Sequence, residues 1–175
     1  TNASANAAAT LTAKRVDLKA SGAIGSAGSA AQLRTESVAA TAGSGGVHLS
    51  DNNGLTVESI TAQGTGNDVS VDVTQGNLRL GSIDAAGGNV TLGAAQGSIS
   101  DNNGDANNVT ADTLEMRARN DIGAASNRLE TSVRGLTTAT TATTAGTYIA
   151  NDRALEDLDA TTVRGTVAVS YTGGE

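Results

Sequence analysis

The run Val69-Ser70-Val71-Asp72-Val73-Thr74-Gln75-Gly76-Asn77-Leu78-Arg79-Leu80 starts again 21 residues later, at Val90-Thr91-Leu92. Apolar and polar residues alternate within each run, so one set of side chains points inward and the other outward on a short strand. Gly76-Asn77 separates two such runs, and Gly and Asn allow a tight corner at low conformational cost. From Val90 to Leu114 the step is 24 residues, and from Tyr148 to Val167 it is 19. Hairpins of a β-sandwich repeat their turn signals every 8–12 residues or so, whereas a step near twenty fits one turn of a coil that carries two or three short strands. The expected fold is all-β, a parallel β-helix (β-solenoid) of roughly 7–9 coils of about 20–24 residues each. An antiparallel β-sandwich is the alternative, because Asn53-Gly54 and Asn103-Gly104 also suit two-residue hairpins.

The same alternation extends outward through Val16-Asp17-Leu18-Lys19-Ala20, Val47-His48-Leu49, Leu114-Glu115-Met116 and Val167-Ala168-Val169. Further corners are marked by Gly45-Gly46, Gly66-Asn67, Gly87-Gly88-Asn89 and Gly173-Gly174, and helical spacing is poor outside Leu155 to Leu158. Tyr148 and Tyr171 are the only aromatic residues. A thick globule needs bulky rings to fill the space between its layers, so the interior here is narrow and lined by Val, Ile, Leu and Ala. Stacked equivalent residues form apolar columns, and corner Asn residues are expected to pair as ladders.

A longer repeat overlies the coil. Residues 11–74 are similar to residues 109–172: Leu11-Thr12-Ala13 lies against Val109-Thr110-Ala111, Ile24-Gly25 against Ile122-Gly123, and Gly46 to Leu55 against Gly146 to Leu155. Ser98-Ile99-Ser100-Asp101-Asn102-Asn103-Gly104 echoes His48 to Gly54 at the halfway point. Small length changes between landmarks are what stacked layers absorb at their corners. Residues 1–175 therefore read as a single β-solenoid segment.

Composition excludes several classes. The formal charge is −7 from 18 acidic and 11 basic residues, and the basic ones are scattered, unlike a nucleic-acid surface. Disorder is the competing reading of so much Gly, Ala, Ser, Thr and Asn. Yet 38% of the chain is apolar and patterned, which favours order. No apolar run reaches bilayer-spanning length, so no membrane insertion by this segment is expected. The absence of Cys removes disulfides and thiolate metal sites together. The chain begins at Thr1 in mid-pattern, which suggests a mature or excised segment.

Gly88-Asn89-Val90-Thr91-Leu92-Gly93-Ala94-Ala95-Gln96-Gly97-Ser98-Ile99 resembles the filamentous haemagglutinin-like bacterial exoproteins, adhesins commonly exported by two-partner secretion. Asn108 to Leu114, Asn120-Asp121-Ile122-Gly123 and Gly146-Thr147-Tyr148-Ile149 are similar in style, and the likeness extends over about Leu11 to Thr172. The resemblance implies a right-handed parallel β-helix, an extracellular or bacterial cell-surface location, and a role in adhesion or matrix formation. The family's amino-terminal secretion domain is not visible in this sequence.

Residues that could carry chemistry are sparse. His48 is the one imidazole, set on an alternating strand and expected to face solvent. No GxSxG or HExxH pattern occurs. Asp112, Glu115 and Asp121, with Arg117 and Arg119, are the carboxylates weighed for hydrolysis of a polysaccharide; their alternation favours a solvated face. Ser50-Asp51-Asn52-Asn53-Gly54 and Ser100-Asp101-Asn102-Asn103-Gly104-Asp105 offer hard oxygens for calcium. The twelfth position of an EF-hand loop, a bidentate Glu, is Ala62 or Asp112 instead, and Asx-turn chemistry explains both copies. No catalytic, cofactor-binding or metal residues are assigned, and no cofactor is expected. Asn2-Ala3-Ser4, Asn89-Val90-Thr91 and Asn108-Val109-Thr110 match glycosylation acceptors. Thr137 to Thr144 has the look of a Thr array of ice-binding solenoids, but as a single tract it reads as a polar insertion.

The expected role is a non-catalytic structural segment of a secreted or cell-surface bacterial fibre, a stiff rod in adhesion or matrix. Its partners would be host or neighbouring-cell surfaces, matrix components or other copies of itself. A self-assembling subunit stacking end to end is the second reading, and a carbohydrate-active β-helix enzyme the third. Neither end carries an obvious cap, which leaves strand edges that other chains can pair with; excision from a larger protein is the plainer explanation of this.

Overall fold

The computed structural model describes residues 9–64 and 67–173. Every described element is a strand: β1 (Thr10–Ala20), β2 (Ala31–Ala42), β3 (Val47–Asp51), β4 (Leu55–Ala62), β5 (Val69–Val73), β6 (Leu78–Ala94), β7 (Ile99–Asp101), β8 (Val109–Ala118), β9 (Leu129–Ser132), β10 (Gly135–Thr140), β11 (Thr147–Asn151), β12 (Asp157–Thr161) and β13 (Val167–Tyr171). All pairings between named strands are parallel. That disposes of the antiparallel sandwich. The fold is a right-handed parallel β-helix, the hand that parallel crossover connections take.

Two walls face each other across a narrow core. On the first, Ile24, Val47, Val69, Val90, Leu114, Leu136 and Leu158 stack in one column. On the second, Leu18, Ala40, Ile60, Ile83, Val109, Thr131, Asn151 and Tyr171 do the same. This second column makes seven steps between its ends, so about seven turns complete the rod, and at about 4.8 Å per layer it is about 34 Å long. Individual steps run from 18 residues (Ala31 to Leu49) to 26 (Ile83 to Val109), wider than the expected 20–24. The difference lies in bulges and corner loops, which change the length of a coil without changing which residues stack.

Inward positions follow the alternation read from the sequence. Val69, Val71 and Val73 are buried, as are Leu78, Leu80, Val90, Leu92, Leu114 and Met116. Each large aliphatic side chain removed from water contributes about 1.5–3 kcal/mol, and the walls lie close enough for these chains to fill the core without rings.

Two expectations are corrected. Positive φ occurs at glycines and at no other described residue, so the corner Asn residues act through their side chains. The tract Thr137 to Thr144 is not an insertion: Thr137 to Thr140 belong to β10, with Thr138 and Thr140 buried in the core, and only Thr141, Thr143 and Thr144 are exposed at the corner. His48 lies on the outward face between buried Val47 and Leu49, as expected, and is partly covered, its Nδ1 lying 2.9 Å from Ser70 Oγ one level on. The corner signals Gly66-Asn67 and Gly173-Gly174 each include a residue outside those described.

The long repeat has a geometric consequence. An offset of 98–100 residues divided by a turn of about 22 is about four and a half turns. Equivalent segments therefore sit on opposite walls: Ile24 stacks with Val47 on the first wall, while its counterpart Ile122 stacks with Thr147 on the second. Local structure is nevertheless reproduced. Ser26 and Ser29 exchange two backbone bonds of 3.0 Å, and Ala124 and Asn127 exchange bonds of 2.8 and 3.1 Å. Gly25 and Gly123 open these loops at φ 69° and 67°, and an added Cβ would meet the His48 carbonyl at 2.4 Å or the Tyr148 carbonyl at 2.2 Å. Only glycine fits either place.

Candidate functional site

The densest polar constellation lies where the second wall bulges. Glu58 is the extra residue in β4, and Gly81 follows it one level on, where a Cβ would meet the Glu58 carbonyl at 2.3 Å. At the next level the bulge widens into the loop 102–108. Asn108, fully buried, plugs it: its Nδ2 lies 2.9 Å from the Leu80 carbonyl, 3.2 Å from the Gly81 carbonyl, 2.7 Å from Asp101 Oδ1 and 2.8 Å from Asn103 Oδ1. Its Oδ1 accepts from Glu130 N at 3.0 Å. Buried backbone groups that the bulge frees from the ladder thereby find partners.

Two carboxylates flank this plug and are pushed in opposite directions. Burial works to raise the Asp101 carboxyl, but donors from Asn108, the Asn103 and Gly104 backbone and Asn127 outweigh it and hold the group below its ordinary value. Glu130 is raised, first by burial and then by the nearby charges of Asp101 and Asp105. Its Oε2 is buried without a partner. Asn107 Nδ2 donates to Asp152 Oδ2 at 2.9 Å, so the loop also reaches a later level.

No protein-family model, curated protein or solved structure matches this chain. The reading of the site therefore rests on its geometry.

Asp51 and Asp101, the calcium candidates, occupy opposite walls. Asp51 Oδ1 accepts from Asn53 N at 2.7 Å and Oδ2 from Thr35 N at 3.0 Å; Asp101 Oδ1 accepts from Asn103 N at 2.8 Å and Oδ2 from Gly104 N at 3.2 Å. These are Asx turns that fix corners. Among the described residues no three His, Asp or Glu side chains gather as a metal set.

The carboxylates weighed for hydrolysis lie on the outer surface and are separately engaged. Asp112 is held by Arg134, Glu115 pairs with Arg117 at 2.5 Å, and Asp121 Oδ1 accepts from Gly146 N at 2.7 Å. Arg119 reaches Gln96 Oε1 at 2.6 Å. Exposed pairs of this kind contribute little to stability, but several join levels: Arg134 reaches Glu156 on the next level at 3.8 Å, and Arg15 reaches Glu58 two levels on at 2.8 Å.

Of the glycosylation patterns, Asn89 is exposed and bridges levels, its Nδ2 donating to Asp68 Oδ1 at 3.0 Å and its Oδ1 accepting from Thr113 at 2.7 Å. Asn108 has no free amide in the folded chain, and Asn2 lies outside the described residues. Corner Asn side chains bond chiefly to neighbouring backbone, as Asn67 does to Gly45 N and Asn77 to Ser98 N, both at 2.9 Å, rather than forming the expected Asn ladders. The role of Glu130 was missed from sequence; the consecutive Asn107-Asn108 after a corner Asp was the signal for the plug.

Proposed function

We propose that this chain is a non-catalytic structural segment of a secreted or cell-surface bacterial fibre, a stiff rod used in adhesion or extracellular matrix. One observation carries the reading: among the described residues all 13 strands belong to a single sheet whose ladders run unbroken from β1 to β13. Such a body resists bending, because any bend breaks backbone bonds and aliphatic packing at several levels together. Arg128 adds a clamp across two levels, its Nη1 donating to the Ile149 and Ala168 carbonyls at 3.2 Å each. The likeness of Gly88 to Ile99 to haemagglutinin-like exoproteins supports the extracellular location, and with it contact with host or neighbouring cells or matrix.

The test places the chain between a bacterial surface anchor and a sugar-binding domain and measures cell capture under flow. A flexible Gly/Ser linker of equal residue number serves as the control. The rod is expected to hold captured cells at higher shear than the linker. Equal capture by both would remove the spacer reading.

A further inference from the structure

Asn-Gly occurs twice in the chain, at Asn53-Gly54 and at Asn103-Gly104, and each time it follows Ser-Asp-Asn. Asparagine is a thermolabile residue. Glycine after it favours reaction, because no Cβ hinders the glycine nitrogen as it approaches the asparagine side chain. By local sequence the two pairs are alike. Their surroundings in the fold are not.

Asn103 is locked. Its Nδ2 donates to the Gly81 carbonyl at 2.7 Å and to the Asn107 carbonyl at 3.3 Å, and its Oδ1 accepts from Asn108 Nδ2 at 2.8 Å. The nitrogen that would attack it, Gly104 N, donates to Asp101 Oδ2 at 3.2 Å. Reaction there must first break the contacts around the Asn108 plug.

Asn53 is not held in this way. It is exposed, as is Gly54, at the corner between β3 and β4. Its backbone N–H donates to Asp51 Oδ1 at 2.7 Å, but among the described residues neither its side chain nor Gly54 N has a hydrogen-bond partner. Gly54 also lines a groove of about 370 Å³ with Glu36, Thr56, Asn77 and Arg79, so water reaches the peptide.

We propose that Asn53 is a site of spontaneous deamidation, and that the fold protects Asn103 from the same reaction. Gly54 N gives up its proton and attacks Asn53 Cγ; the new C–N bond closes a cyclic imide, and the side-chain amide leaves as ammonia. Water then opens the imide at either carbonyl. The product is aspartate or, with the main chain rerouted through the side chain, isoaspartate. Either product adds a negative charge beside Asp51, which is almost fully buried and holds the corner by accepting from Thr35 N. Isoaspartate also lengthens the corner by a carbon. The rod therefore carries a corner within its length that weakens with age. This goes beyond the rod reading and does not depend on it.

The test incubates the full chain at mildly alkaline pH, folded and in guanidinium chloride, and follows its tryptic peptides by mass spectrometry. Cleavage at Arg34, Arg79 and Arg117 puts Asn53 and Asn103 on separate peptides, and fragment spectra assign the modified residue. In the folded chain Asn53 is expected to convert at least about tenfold faster than Asn103. In denaturant the plug is gone, and the two rates are expected to agree within about threefold. Gly54→Ala is the control. Gly54 has no positive φ, and a Cβ there meets nothing closer than the Asn77 carbonyl at 3.4 Å, so the variant should fold, which circular dichroism checks. Its conversion at Asn53 should fall at least about tenfold. The aged chain should melt at a lower temperature than the fresh one, and aged Gly54→Ala should not. Equal rates at the two sites in the folded chain, faster conversion at Asn103, or a preference for Asn53 that persists in denaturant would overturn the proposal. An unchanged melt after full conversion would overturn the weakening of the corner.

Discussion

Asp51 and Asn151 close equivalent corners of the long repeat on opposite walls of the rod. Asp51 Oδ2 accepts from Thr35 N at 3.0 Å, and Asn151 Oδ1 accepts from Val133 N at 3.1 Å. Both donors belong to the preceding level, and both acceptors are almost fully buried. The second oxygen of Asp51 accepts again, from Asn53 N, whereas Asn151 Nδ2 donates to the Val133 and Arg153 carbonyls.

The two residues are therefore not interchangeable. Asp51→Asn turns an amide NH₂ towards an N–H donor, and Asn151→Asp turns a carboxylate towards carbonyls. Each is expected to cost about 1–3 kcal/mol through unsatisfied buried groups, with the Asn151→Asp loss larger near neutral pH because a charge is buried. Urea unfolding of both single variants measures this; a loss in neither would mean that the corners can rearrange.

Val71 is fully buried and Thr144 is exposed. Val71→Asp places an unpaired charge in the core and is expected to destabilise by several kcal/mol. Thr144→Asp should stay within about 0.5 kcal/mol. Similar thermal melts for the two would contradict the inward and outward assignment of these strands.

Thr138 and Thr140 are both buried in β10, yet only Thr140 Oγ1 has a partner, the Ala145 carbonyl at 3.1 Å. Thr138→Val removes an unsatisfied hydroxyl with little change of shape and is expected to stabilise by about 1 kcal/mol. Thr140→Val breaks a made bond and should destabilise by a similar amount. Calorimetric melts of opposite sign are the expected result.

Asp101 and Glu130 set opposed pH dependences. The folded Asp101 value is depressed, so its contribution is present above the unfolded value of about 3.9 and is lost as pH falls through the folded one. The folded Glu130 value is raised, so its contribution is present below the unfolded value of about 4.3 and is lost as pH rises through the folded one. At pH 7, Glu130→Gln is expected to raise the melting temperature and Asp101→Asn to lower it. Both differences should shrink in acid, which melts between pH 3 and pH 7 would follow.

Alternation in runs such as Val69 to Val73 fixed which side chains face the core, because a strand has a period of two whatever it pairs with. The step near twenty, together with the scarcity of aromatic residues, told a coil from a sandwich. Asn108 was not legible in the same way. Asn-Val-Thr is a surface pattern by composition, and only the bulge begun at Glu58 and Gly81 makes it a buried plug. Nor was the Thr tract legible, since Thr is compatible with either face of a strand, and the contacts of β10 with β8 and β12 put Thr138 inside.

By itself the sequence determined the strands, the corners and the existence of a repeat near one hundred residues, since these depend on local conformational preference and on burial of alternate side chains. Only the tertiary structure decided that this repeat spans about four and a half turns and sets its copies on opposite walls. The stacking step ranges from 18 to 26 residues, and its sum depends on how much chain each corner takes up, which no local pattern encodes. The same stacking decided that, among the described residues, the exposed large apolar side chains lie on the first and last turns, while every turn between is covered by a neighbour on each side.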